Sequence, residues 1–596
     1  MKNVIIDCEV YKNYFLLSAM EVESGKVAHF ELSQYRALNV NALGALMKTR
    51  TTISFNGLNF DLYIIVAALR GWTNVQLKTL SDKIIKTNLP GWRIAKDLGL
   101  QIPPQWDHID LIEVAPGRSS LKIYGGRLHQ KNLIDLPIEP DATLAAEQME
   151  QIKHYCVNDL ETTKTLFNAV KEPIAVRVDM SKQYGVDLRS KSDAQVAEEV
   201  IRHELQRMTG KLYRKPDNPP REFAYKNPQI VSFKSDSLKS IFNRILKTRF
   251  SVGATGAVVM PDWLKEPINI AGRTYQMGIG GLHSQENAQY ICAKENELLF
   301  EVDVASYYPS IILQQNLAPQ TIGKPFLDVY RSLVIRRLKA KKENDHVANA
   351  MLKIAINGSF GKLGSIYSAF YAPDLLIQTT VTGQLCLLML IEQLTDAGIS
   401  VVSANTDGIV IHCQKDMYPV VDEITFNWQL QTTYVLEETQ YRCIASRNVN
   451  NYVAVRKDGK TKGKGCFAKS GLMKNPDFQI VFDAVAKHVS ENVSIEETIT
   501  TCKDLTKFVS VRRVQGGATW RGEDLGRAVR FYYSTEIPAS ECIHYKTNSN
   551  RVPKSCGAKP VMLLPDRFPD DVNYQPYIDE AYKLLVEIGF KDDKLC

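Results

Sequence analysis

Residues 300–310 read FEVDVASYYPS: an apolar strand carrying Asp303 near its end, then a turn at Ser306, Tyr307, Tyr308 and Pro309. A single aspartate after a strand is usually a turn former. Its weight comes from a second segment, SANTDGIVI at 403–411, where Asp407 follows Asn405 and Thr406 and precedes Gly408. That is a tight turn between apolar runs, the pattern of a β-hairpin. Two carboxylates offered by neighbouring strands can hold two Mg2+ ions, one activating an attacking oxygen and the other steadying a leaving group.

Between these segments lies KIAINGSFGK, 353–362. Lys353, Asn357 and Phe360-Gly361 stand at helical spacing and share a face. On the preceding helix, expected over 327–342, Arg337 and Lys341 are also four apart. A turn at Glu343–Asp345 folds the two helices into a hairpin and brings Arg337 beside Lys353, with Lys341 nearer the turn. Three cations in one volume are costly unless an anion fills it. A nucleoside triphosphate would fill it, because phosphoryl transfer is mostly positioning and charge neutralisation. The plainer reading is a solvated basic hairpin. Lys353, set inside the apolar run AMLKIAING, weighs against it.

The N-terminal part carries a second set of acids. VIIDCEV and TTISFN read as strands, NFDLYIIVAAL and ATLAAEQMEQIKHYCVNDLETTKTLFNAV as helices. Asp7 and Glu9 are two apart on a strand and point to one face. Asp61 follows in SFNGLNFD, and Tyr155 and Asp159 are four apart on a helix. Any one of these acids alone would pass as a surface charge. Four converging from separate elements repel unless cations bind between them. Two-metal phosphodiester hydrolysis uses that arrangement, with Tyr155 orienting the attacking water. Lys122, in SLKIYGG, is a weaker candidate for a phosphate contact.

Composition bounds the rest. The 596 residues exceed what one core supports, so several domains are expected. Hydrophobic residues at 44% and charged residues at 23% suit a globular protein. The net charge of +7 is modest, but basic residues cluster. Residues 331–342 hold six Lys/Arg and no acid, 456–464 hold five, and Arg512, Arg513, Arg521, Arg527 and Arg530 follow. Together they point to a polyanion partner. No run of 18 apolar residues occurs, and the greasiest stretch, Cys386 to Ile391, is too short to span a bilayer. MKNVIIDCEV lacks the apolar core of a signal peptide, so a cytoplasmic location without a membrane is expected. None of the eleven cysteines forms a C-x-x-C pair. The expectation is no zinc site and no disulfide framework, but buried thiols in a reducing compartment.

The three later segments resemble, in order, the motifs Asp-x-x-Ser-x-Tyr-Pro-Ser, Lys-x-x-x-Asn-Ser-x-Tyr-Gly and Asp-Thr-Asp-Ser of family B DNA polymerases. The N-terminal acids are similar to that family's proofreading exonuclease. The resemblance implies a multidomain α/β and α+β protein, an RNase H-like exonuclease domain followed by a right-hand polymerase. It implies extension of a primer 3′-OH with dNTPs and 3′→5′ proofreading, with two Mg2+ per active site, Mn2+ substituting. Asp303 and Asp407 would hold metal in one site, and Asp7, Glu9, Asp61 and Asp159 in the other. Tyr308 would be the floor that excludes ribonucleotides. Arg337, Lys341 and Lys353 would grip the triphosphate, and Asn357 would line the nucleotide. Gly280 and Gly281, in YQMGIGGLHS (275–284), stand where the family has Tyr-x-Gly-Gly and would let the template backbone approach. The family's primer-contacting Lys-x-Tyr falls on Asn450-Asn451-Tyr452, with Lys460, Lys462 and Lys464 as substitutes.

Four positions depart from the family. Asn405 replaces the first carboxylate of the third motif and Gly408 its serine, while Gly358 and Phe360 replace Ser and Tyr in the second. Asn405 can orient the turn but not ligate as an anion, so Asn405→Asp is expected to be tolerated. The expected layout is exonuclease 1–180, a connecting region 181–275, palm 276–325, fingers 326–361, palm 362–470, and thumb with C-terminal region 471–596. With its first exonuclease acid at residue 7, the chain is expected to lack the N-terminal domain of larger cellular members. Its size resembles bacteriophage enzymes, and its short inter-motif gaps leave no room for the insertions of protein-primed ones. Implied partners are primer–template DNA, single-stranded DNA and dNTPs, with a helicase, primase or single-strand binding protein, for a monomer engaged in phage genome replication. Two alternatives stand beside this reading. One is a 3′→5′ DNA exonuclease whose polymerase-like half only binds DNA, motivated by Asn405 and Gly408. The other is a ribonucleotide-using template-directed enzyme, against which Tyr308 argues.

Overall fold

The computed structural model describes residues 2–87 and 89–590. The chain is mixed α/β and divides into two compact units. The first comprises Met1–Ser192, Ser470–Ile480 and Thr500–Tyr577, the second Asp193–Lys469, Val481–Ile499 and Ile578–Cys596.

The first unit is built on a five-stranded sheet of β1 (Asn3–Tyr11), β2 (Tyr14–Glu21), β3 (Val27–Leu32), β4 (Thr51–Ser54) and β5 (Asp107–Asp110), ordered β3-β2-β1-β4-β5. β4 and β5 run parallel to β1, whereas β2 and β3 form an antiparallel meander beside it. The alternation in NVIIDCEVY decides which face each residue meets. Val4, Ile6, Cys8 and Val10 pack with helices Val40–Thr49, Asp61–Leu69 and Asn74–Lys86. Ile5 packs on the other face, with Ile53, Ile109 and Leu160 and Leu166 of helix Ala146–Ala169. Asp7 and Glu9 share the face of Ile5, so the same period that buries the strand aims both acids at that helix.

A second sheet in this unit pairs Ser510–Trp520 with Glu523–Tyr533, flanked by His544–Tyr545 and Ala558–Pro560. It docks on residues 126–135. Val511 fills the space a side chain at Gly126 would take. Arg530 is fully buried and donates to the carbonyls of Gln130, Lys131, Val561 and Met562. Burial lowers its pKa to about 10. The segment 471–596 is thus not one body: 470–480 and 500–577 go with the first unit, 481–499 and 578–596 with the second. The anchoring contacts are long-range, which is why position along the chain did not disclose them.

The expectation of no disulfide is corrected by a Cys542–Cys556 bond. Val552 N–H donates to Ile543 O and Gly557 N–H to Glu541 O, closing a loop that brings the two thiols together. Of the other described cysteines, Cys8, Cys156, Cys386, Cys413 and Cys443 are buried.

The second unit centres on a ten-stranded sheet. Its middle strands are Leu436–Asn448, Glu297–Val304, Gly408–Gln414 and Ser400–Asn405, in that order. The helix Pro373–Asp396 packs on them among Phe300, Val302, Ile409 and Trp428. By length and composition this helix could cross a membrane, with a mean hydropathy of 1.5, but 83% of that window is buried inside the protein. The stretch Cys386 to Ile391 is the middle of this core helix.

The basic hairpin forms from helices Lys324–Lys342 and His346–Leu363, with Asp345 capping the second through Ala348 N–H. Residues 181–275, expected to be irregular, include helix Asp193–Thr209, which packs on this hairpin. A Cβ at Gly358 would meet Asp193 O at 2.7 Å and Ala197 Cβ at 2.8 Å. Lys362 pairs with Glu198 at 2.8 Å and Arg336 with Glu204 at 3.2 Å. Gly358 is therefore what lets a third helix approach.

Truncating Arg530 to Ala removes the donor to the Gln130 and Val561 carbonyls, each worth about 1–3 kcal/mol when left unsatisfied, while the Lys131 and Met562 carbonyls keep the N–H groups of Leu564 and Leu133. Arg530→Ala is expected to lower the first unit's melting temperature by several degrees, with Arg530→Lys intermediate, as read by differential scanning calorimetry. Melting unchanged from the wild type would show that the carbonyls find other partners.

Candidate active sites

In the first unit, ligand oxygens of Asp7, Glu9 and Asp159 lie within 4.8 Å of one another. Asp61 enters from the start of its helix, and its Oδ1 accepts the Cys8 N–H at 3.0 Å, between Asp7 and Glu9. Burial raises Asp7, and the neighbouring Asp61, Glu9 and Asp159 raise it further. Burial likewise lifts Glu9 to about 8, with Asp159 adding to it, and Asp61 to about 7, with Asp110 adding to it. An all-oxygen set of buried carboxylates that resist joint ionisation fits a hard divalent cation.

Lys122 Nζ forms an ion pair with Asp159 and lies 4.2 Å from the centre of the Tyr155 ring. It thus sits at the acids themselves, a closer role than the weak phosphate contact expected. Tyr155 is buried and its hydroxyl is held protonated, first by burial and then by Asp159. Asp110 was not anticipated. Its carboxylate accepts from Asn56, Leu58 and Ile112 N–H and so shapes the loop leading to Asp61. Its position in the strand run DHID was the available signal.

In the second unit, Asp303 pairs across the strands with Gly408, and Val304 N–H donates to Asp407 O at 2.7 Å. A Cβ on Gly408 would lie 2.0 Å from Asp303 Oδ1, so that carboxylate occupies the space a side chain at 408 would need. Burial lifts Asp303 to about 6, with Glu301 adding to it and Lys462 opposing. Asp407 is raised chiefly by burial. Glu301, two residues before Asp303 on the same strand face, was missed although period two points to it. It binds Lys462 at 2.5 Å and accepts from Tyr441 OH. Lys464 and Tyr452 are cross-strand partners, and both Tyr452 and Lys462 lie within electrostatic reach of Glu301.

A cavity of about 400 Å3 opens beside these acids, lined by Ser306, Tyr308, Arg337, Asn357, Phe360 and Asp407, among others. Tyr308 stacks on Phe360 with ring centres 4.3 Å apart and donates to Gly280 O. Arg337 reaches Ser306 Oγ and Asn349 Oδ1, both at 3.3 Å. The expected trio of cations does not share this volume. Lys341 pairs with Glu437 at 3.7 Å, and Lys353 is exposed and outside the lining. Lys353 follows buried Met351 and Leu352, and the helical turn carries it outward from them.

Gly281 has an internal reason to be glycine: a Cβ there would lie 2.9 Å from Thr406 Cα, while Thr406 N–H donates to Leu282 O at 2.7 Å. It seats the turn that holds Asp407. Gly280 faces open space. Asn405 Nδ2 donates to Val449 O at 3.1 Å and to Asn450 Oδ1 at 3.4 Å. A carboxylate there would lose the donation to Val449 O, which weighs against the expected tolerance of Asn405→Asp.

The raised acids set a sign for pH. Glu9 and Asp61 titrate higher folded than unfolded, so their contribution to stability is complete near pH 4 and is lost as pH rises through about 7 and 8. In chelator, the melting temperature of the first unit should fall between pH 5 and 8.5. Mg2+ or Mn2+ should largely abolish the fall, and Glu9→Gln should flatten it. A profile flat in chelator would contradict the charge crowding.

No protein-family profile matches the sequence, and no curated protein matches it. Among solved structures, the chain is similar to the family B DNA polymerase from the hyperthermophilic archaeon Pyrobaculum calidifontis, with 12% identity, coverage of 99% of this chain and 78% of that one, and a TM-score of 0.42.

Proposed function

We propose that the chain is a template-directed DNA polymerase of the family B type that also carries a 3′→5′ exonuclease. The observation that carries the reading is the 400 Å3 cavity, where Asp407, Tyr308, Asn357 and Arg337 converge next to Asp303. An incoming deoxynucleoside triphosphate sits there with its sugar over Tyr308, whose ring is fixed by Phe360 and by the Gly280 carbonyl. That support makes it a floor against a 2′-hydroxyl. Arg337 takes a phosphate oxygen. Lys341 and Lys353 join it only if the helical hairpin shifts on binding. Asp303 and Asp407 would hold Mg2+, which supplies charge neutralisation for the attacking 3′-oxygen and the departing pyrophosphate. Lys462, Lys464 and Tyr452 lie on the same sheet and contact the primer backbone.

In the first unit, Asp7, Glu9, Asp61 and Asp159 would hold the cations of phosphodiester hydrolysis, and Tyr155 orients water. The strand order is that expected of an RNase H-like domain. The basic hairpin 324–363 is the fingers, joined by helix Asp193–Thr209, and the ten-stranded sheet is the palm. Short gaps between the motifs favour a nucleic-acid primer and a phage-type enzyme. The second reading, an exonuclease with a DNA-binding polymerase-like half, is favoured by Asn405, whose amide is committed to Val449.

A primed template with dNTPs and Mg2+ separates the two. Asp407→Asn should lose extension and keep degradation of single strands, and Asp7→Ala with Glu9→Ala should do the reverse. Wild-type protein that degrades but never extends would establish the second reading. Gly408→Ser tests the geometry: the new side chain displaces the Asp303 carboxylate, and a misplacement near 1 Å can cost about a hundredfold in rate. Extension at wild-type speed in Gly408→Ser would remove Asp303 from the reaction.

A further inference from the structure

Neither site uses the second helix after Asp61's own, yet that helix carries an exposed tryptophan beside two cations. Helix Gly91–Asp97 buries Ile94 and Ala95 in the core of the first unit and leaves Trp92, Arg93 and Lys96 outside. Trp92 and Lys96 are four apart and share a face, with Arg93 beside Lys96. Trp92 is 58% exposed, Leu89 43% and Leu58 41%. Nearby Lys78 and Lys86 are paired with Asp82 and Asp141. Lys83, Arg93 and Lys96 make no ion pair among the described residues, and Asp97 is the one acid on the helix.

The helix is tied to the acid cluster. Gly91 N–H donates to Asn59 Oδ1 at 2.7 Å, and a Cβ on Gly91 would lie 2.0 Å from Asn59 O, so only glycine permits the contact. Asn59 stands two residues before Asp61, which holds Cys8 N–H between Asp7 and Glu9. Trp92 follows Gly91 in sequence and Leu58 precedes Asn59, so the Gly91–Asn59 contact joins the two segments that carry them.

We infer that Trp92, with Leu58, Leu89, Arg93 and Lys96, is a stacking platform for an unpaired DNA strand whose 3′ end enters the carboxylate cluster. This rests on the reading of that cluster as a 3′→5′ exonuclease. An exposed indole beside unpaired cations suits single strands, whose bases offer free π-faces and whose phosphates offer charge. A duplex hides the faces, and a protein partner would not call for unpaired cations on the same helix as the ring.

The test uses a 3′-labelled oligothymidylate with the full chain. With Mg2+, Trp92→Ala should raise the KM for degradation about tenfold, the size of one lost base–aromatic stack, with kcat little changed. Trp92→Phe should restore most of it. In EDTA, the oligonucleotide should quench tryptophan fluorescence in the wild type and quench less in Trp92→Phe. Equal KM for Trp92→Ala and wild type, or equal quenching in both proteins, overturns the platform. Trp92-dependent quenching in a wild-type protein that does not degrade the oligonucleotide keeps the platform and sinks the exonuclease reading instead.

Discussion

Buried carboxylates repel one another, and in the first unit nothing fixed nearby offsets that repulsion fully. Asp7, Glu9, Asp61 and Asp159 come from one strand and two helices, and Lys122 neutralises only part of their charge. Such a group does not gather by its own attraction. The alternation of β1 holds Asp7 and Glu9 on the face of Ile5. Helix packing delivers Asp159, and the Cys8 amide pins Asp61. The surrounding core therefore holds the site together against the acids' own repulsion, as expected where hydrophobic burial sustains a constellation that is unstable alone.

In the second unit the same demand is met largely by leaving side chains out. Gly408 makes room for the Asp303 carboxylate, Gly281 for the Thr406 backbone, and Gly358 for the 193–209 helix. Each is a place where two segments far apart in sequence approach to van der Waals distance. At two of the three, Gly358 and Gly408, the glycine answers to a close neighbour: the Asp303 carboxylate leans on the hairpin at 408, and a third helix packs on the helical hairpin at 358.

This explains what was legible beforehand. Period two on NVIIDCEVY and the four-residue spacing of Tyr155 and Asp159 are local signals, and both put the residues where they were expected. So did the Asp303 strand, the 400–414 hairpin and the turn near Glu343. What escaped depends on contacts between distant segments: the docking of Arg530 on Gln130 and Lys131, the Cys542–Cys556 bond, and helix Asp193–Thr209 against Gly358. Lys353 failed for a local reason. An apolar run around a lysine need not bury it, because the helical turn that buries Met351 and Leu352 rotates Lys353 outward.

The two carboxylate groups also differ in what stands beside them. Asp303 has Lys462 as an opposing charge and rises only to about 6, so at neutral pH it is ionised before any cation arrives. Glu9 and Asp61 rise to about 8 and about 7, and Asp7 also rises. At neutral pH Glu9 holds a proton that a cation would displace, which would couple metal uptake there to proton release. Asp303 would take up a cation without that exchange. The difference arises from sequence: β1 places its acids where no lysine shares the strand face, whereas Thr461–Lys464 brings Lys462 and Lys464 alongside Asp303 and Asp407. Pairs of carboxylates that look alike as motifs are thereby set to respond to pH and metal concentration in different ranges.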